Sequence, residues 1–103
     1  MKQIPFSYDK LNEIIKEIPT PFYIYDENLI RENVRRLKKA FSWNAGYHEF
    51  FAVKSTPNPS ILKIFKDEGC GVDCASLTEL MLADMSGFSN EDIMFTSNVT
   101  TAE

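Results

Sequence analysis

Lys54 closes the apolar run Phe50-Phe51-Ala52-Val53 and is followed by the chain-breaking Thr56-Pro57-Asn58-Pro59. This is the pattern of a buried strand that delivers an amine to its C-terminal tip. An amine held at the edge of a dry core is poorly hydrated as the cation, so a fraction is expected to be neutral and nucleophilic. A lysine in that state can form a Schiff base with an aldehyde cofactor. The competing reading is a lysine that merely ends a strand and points into water, the usual fate of this residue. Asp73 interrupts a second apolar segment, Gly71-Val72-Asp73-Cys74-Ala75. A buried carboxylate is costly unless paired, so it is either a partner for the Lys54 amine across adjacent strands or a local backbone acceptor. Glu79 ends Ser76-Leu77-Thr78-Glu79, a capping box that accounts for its type by itself. The same turn sits above a strand tip, so Glu79 can also face the amine.

The elements that must position these residues follow from periodicity. Leu11, Ile14, Ile15 and Ile18 have helical spacing over residues 8–18, and Pro19-Thr20-Pro21 stops that helix. Residues 22–25, Phe-Tyr-Ile-Tyr, predict a short strand. Asp26 caps a helix to about Phe41, with an apolar stripe of Leu29, Ile30, Val34, Leu37 and Phe41. A strand–loop–helix unit then repeats. Strands are predicted over 49–54, 71–75 and 92–96. Helices open at Asn58-Pro59 and Ser76 and stop at Gly69 and Gly87. Thr100-Thr101-Ala102-Glu103 reads as the capping box of a further helix. The strand tips Lys54, Ala75 and Thr96 recur at an even interval, which predicts parallel strands joined by helical crossovers. An open doubly wound sheet and a (β/α)8 barrel both fit. A barrel needs about 250 residues, so the 103 residues would supply only its first strands.

Composition limits the alternatives. The chain is 44% hydrophobic with net charge −4, enough for one small core. Its basic residues Arg35, Arg36, Lys38 and Lys39 share one predicted helix with acids, so nothing marks a nucleic-acid surface. No segment approaches the roughly 20 apolar residues of a membrane span, and the N-terminus lacks the apolar core of a signal peptide. The chain reads as cytoplasmic. Cys70, Cys74 and the single His48 are too few for a metal site; both thiols read as buried packing. His48 reads as structural on the rim opposite Lys54, and Trp43 and Tyr47 as packing residues. The four glycines fit no phosphate-cradling pattern.

Phe51-Ala52-Val53-Lys54-Ser55-Thr56-Pro57-Asn58-Pro59 resembles the Tyr-Ala-Val-Lys-Ala-Asn-x-Asn segment of the alanine-racemase-fold decarboxylases that use pyridoxal phosphate. The stretch from Gly69 to Leu80 resembles their Gly-x-Gly-x-Asp-x-x-Ser-x-x-Glu-Leu segment. Thr20-Pro21-Phe22-Tyr23-Ile24-Tyr25-Asp26 resembles the opening strand of diaminopimelate decarboxylases. The resemblance implies a pyridoxal-5'-phosphate-binding (β/α)8 TIM barrel, with residues 26–103 as its first units. Residues 1–25 would form an N-terminal helix and a strand belonging to a C-terminal β domain absent here. It further implies that Lys54 holds the cofactor, that Asp73 and Glu79 receive the lysine ammonium once substrate displaces it, and that Ala52 is the small residue beside the ring. Ser55-Thr56 departs from the usual Ala-Asn. The family's phosphate site, ring-stacking histidine, acid on the ring nitrogen and partner-subunit cysteine are expected beyond Glu103. The implied activity is decarboxylation of meso-2,6-diaminopimelate to lysine in a homodimeric enzyme, with this fragment inactive alone. The alternatives are ornithine or arginine decarboxylation, a non-catalytic pyridoxal-phosphate-binding carrier of the same barrel, and a decayed regulatory homologue.

Overall fold

The computed structural model describes residues 3–98 and residue 100. Helix α1 (Tyr8–Glu17) begins where the Ser7 side chain accepts from the Lys10 backbone N–H at 3.2 Å. None of its residues is buried. Helix α2 (Glu27–Ala40) begins where Asp26 accepts from the Leu29 N–H at 3.1 Å. Of the predicted stripe on α2 only Val34 is buried, and Leu29, Leu37 and Phe41 remain exposed. The strand predicted over 22–25 does not form. The segment takes no regular structure, and Tyr23 is 90% exposed. β-propensity reports the fit to a pleated, half-buried surface, and no neighbouring strand among the described residues supplies that surface.

The rest is a repeating unit. Strand β1 (Phe50–Ala52) runs into a single 3₁₀ turn (Val53–Ser55), then helix α3 (Pro59–Asp67), strand β2 (Gly71–Cys74), helix α4 (Leu77–Met85) and strand β3 (Ile93–Phe95). The strands lie in the order β1-β2-β3 and both pairings are parallel. Asn58 caps α3, accepting from the Ser60 and Ile61 N–H groups, and Pro59 takes the first helical position, where no donor is wasted. α3 and α4 end alike. Cys70 N–H reaches Phe65 O and Gly69 N–H reaches Lys66 O; Phe88 N–H reaches Ala83 O and Gly87 N–H reaches Asp84 O. These paired bonds need a left-handed residue, supplied by Gly69 at φ 76° and Gly87 at φ 87°.

One face of the sheet is covered. Val53, Leu62, Val72, Cys74, Ala83 and Phe88 form the buried cluster, with Phe51, Leu80, Leu82 and Ile93 packed against it. Alternation along the strands then puts Phe50, Ala52, Gly71, Asp73 and Met94 on the opposite face. Gly71 is required there, because a Cβ would lie 2.6 Å from the Phe50 ring and 2.7 Å from the Asp92 carbonyl oxygen. α2 is tied to the end of α3 by charge. Arg31 reaches Asp67 at 3.2 Å and Glu68 at 3.1 Å, and Arg35 reaches Glu68 at 2.7 Å. No helix among the described residues is long and apolar enough to cross a membrane.

Candidate pyridoxal site

The predicted site residues gather at the C-terminal ends of β1 and β2. Ala52 is the ladder partner of Asp73. Lys54 lies two residues past Ala52, in the 3₁₀ turn rather than in the predicted strand. The ladder ends at Ala52, and Pro57, which cannot donate to a ladder, keeps it from resuming. The turn packs against β2 and α4. Val53 anchors it from below with no exposed surface, while Lys54 itself is exposed. The expectation of an amine at the edge of a dry core is therefore corrected. The 3₁₀ turn seats Val53 in the core and carries Lys54 out to the surface.

Asp73 is half-buried, and its Oδ1 is fully enclosed with no hydrogen-bond partner. It makes no ion pair with Lys54 among the described residues, so the direct pairing expected from adjacent strand ends is not formed. Glu79 makes only half of the predicted capping box. Ser76 Oγ accepts from the Glu79 N–H at 3.3 Å, but Oε2 of Glu79 accepts from the Ala75 N–H instead of that of Ser76. That displacement draws its carboxylate back to the strand tip, two residues beyond Asp73.

This set of groups suits a flat aldehyde cofactor. Lys54 offers an accessible amine, and Ala52 leaves room above the sheet. The orphaned Asp73 oxygen is an acceptor whose solitude costs about 1–3 kcal/mol until a donor arrives. Residues 27–103 match the family described as pyridoxal-dependent decarboxylase, pyridoxal binding domain.

The chain belongs to this family.

Its relatives agree with the match. Protein TabA of Pseudomonas amygdali pv. tabaci is 45% identical over 91 residues, which is 88% of this chain and 21% of that protein. The diaminopimelate decarboxylase of Methanothermobacter thermautotrophicus is 40% identical over 87 residues, 84% of this chain and 20% of its own length. The crystal structure of lysine decarboxylase from Selenomonas ruminantium superposes with a TM-score of 0.85 at 25% identity, covering 99% of this chain and 27% of that one. The chain thus spans about a fifth of the length of the curated relatives it matches. Its three parallel strands and their helices are a part of the alanine-racemase-like barrel.

The opposite rim carries no predicted site residue. His48 lies against Phe50, with ring centroids 4.5 Å apart and the planes tilted by 39°, and is 4.0 Å from Asp92. Tyr47 stacks on Phe41 at 4.6 Å and donates its hydroxyl to Glu49. That hydrogen bond, helped by burial, pushes the phenol up to about 12. Trp43 is 78% exposed and packs on nothing extensive, against expectation. It sits in a turn-rich segment, where a large side chain finds no facing element. Sequence reasoning missed the 3₁₀ turn that lifts Lys54 clear of the core.

Proposed function

We propose that these residues begin the pyridoxal-phosphate barrel of an amino-acid decarboxylase acting on meso-2,6-diaminopimelate and releasing L-lysine. The observation that carries this reading is the buried, unpartnered Oδ1 of Asp73, paired in the ladder with Ala52 two residues before the exposed Lys54, at the C-terminal ends of parallel strands. That is where barrel active sites collect. The diaminopimelate assignment is supported by the 40% identity to an enzyme of that name. Bound pyridoxal phosphate supplies an electron sink for the carbon that loses carbon dioxide. Lys54 would hold the cofactor through Nζ. When substrate frees that amine, Asp73 would accept a hydrogen bond from the ammonium, which also satisfies the buried Oδ1. Glu79, fixed on the Ala75 N–H, holds negative charge over the same strand tip. Ala52 keeps the row below low enough for a planar ring.

The family match starting at residue 27 supports a division near residue 26, with α1 and the segment that follows it as a separate N-terminal piece. A homodimer in the cytoplasm, with a small amino acid as substrate, completes the proposal. Ornithine or arginine decarboxylation is the nearest alternative. A non-catalytic pyridoxal-phosphate-binding carrier of the same barrel is the further alternative.

The test is incubation of the chain with pyridoxal phosphate, borohydride reduction and peptide mapping. Label confined to Lys54, and lost in Lys54→Ala, is the expected result. Label spread over all lysines and unchanged in the variant would refute the site. Product analysis with diaminopimelate, ornithine and arginine, in the longer polypeptide that carries these residues, decides the substrate. Lysine from the first, with neither putrescine nor agmatine from the others, is expected.

A further inference from the structure

Ala52, Asp73 and Met94 form one row across the three strands, each the ladder partner of the next. Adjacent strands lie about 4.8 Å apart, so Met94 stands as close to Asp73 on one side as Ala52 does on the other. Ile93, its neighbour in sequence, packs against the buried cluster, which sends Met94 to the face the helices leave open. There it is 48% exposed. The row is thus asymmetric: a methyl group, a carboxylate with one unpartnered buried oxygen, and a long thioether.

We propose that Met94 is a positioning residue for the cofactor ring. The proposal rests on the reading that Lys54 binds pyridoxal phosphate beside Asp73. A thioether is flexible and polarizable and packs favourably against the edge of an aromatic ring. Ala52 leaves space on one side of Asp73, and Met94 fills it on the other. A planar heterocycle tethered at Lys54 above this row is held from sliding toward β3 by the Met94 side chain.

The experiment is a titration of the full chain with pyridoxal phosphate, followed by the absorbance of the lysine-bound cofactor. Met94→Ala and Met94→Leu are compared with the unaltered chain, and thermal melting is recorded beside each. Met94→Ala is expected to weaken binding about tenfold and to move the absorbance band, with borohydride label still confined to Lys54. Met94→Leu keeps the apolar volume without the sulfur and is expected to fall between the two. Unchanged affinity and band in both variants, with only the melting temperature lowered, would make Met94 a packing residue and overturn the proposal. Should Met94→Ala lose its melting transition, Met94→Leu decides alone: a band and affinity equal to the unaltered chain overturn the proposal. Failure of the unaltered chain to label Lys54 overturns the underlying reading and this proposal together. Label at Lys54 with no effect of Met94 overturns this proposal only.

Discussion

Asp73 holds a carboxylate oxygen out of water without giving it a partner, on a strand whose other side chains are buried. Buried polar atoms are nearly always bonded, and an unpaired one is a standing cost. Asp73→Val is therefore expected to raise stability by about 1 kcal/mol, read from chemical denaturation, while reducing pyridoxal-phosphate label at Lys54. Equal loss of stability and label would instead make Asp73 a structural acceptor. Lys54 shows the opposite economy: Val53 fixes the turn from the core, and the amine stays accessible. Asp73 and Lys54 were legible because a charged residue inside an apolar run stands out on inspection. Their failure to touch was not legible, since it depends on where β1 ends.

At the scale of elements, helix boundaries were the most readable feature. Asp26, Asn58 and Ser76 each cap the helix expected of them, and Gly69 and Gly87 each stop one. Caps and stops act through bonds within a few residues, so the local sequence contains the whole cause. The strand at 22–25 failed for the converse reason. A strand needs a partner distant in sequence, and propensity says nothing of that. The clamp joining α2 to α3 also escaped the sequence, because Arg31 and Glu68 are brought together only by the fold. In that clamp the Arg35 hydrogen bonds, then those of Arg31, hold the Glu68 carboxyl below its usual range. A depressed carboxyl adds stability above its unfolded value near 4.3 and loses it as pH falls through the folded value. The melting temperature should drop on acidification below about pH 4.3, and the drop should be shallower in Glu68→Gln. Identical pH profiles would remove Glu68 from the account.

The whole molecule is less compact than its length suggests. Its radius of gyration is 16.7 Å, against about 13 Å for a compact domain of this size. Helix α1 buries no residue and makes no extensive contact with another element. The packed part is the βαβαβ unit, and its two thiols report on that part alone. Cys70 is 3% exposed and Cys74 has no exposed surface, and burial pushes both thiols up. Neither should react with a thiol reagent at neutral pH in the folded chain, and both should react in denaturant. Fast reaction of either without denaturant would show that the unit opens readily. Fold class was legible at this scale because the unit repeats: both ladders join residues 21 apart in sequence, the same interval that separates the predicted strand tips.

Because side chains alternate along a strand, β2 has only two settings. In the one observed, Asp73 shares the open face with Ala52, and Val72 and Cys74 belong to the core. Removing a single residue from β2 would exchange them, placing the carboxylate among Leu62, Ala83 and Phe88 and turning a valine or cysteine outward. The same deletion in the turn at 42–46 would leave the row untouched. The open face is thus encoded like a reading frame: length may drift between the strands, but within β2 the carboxylate and its core neighbours shift together or not at all.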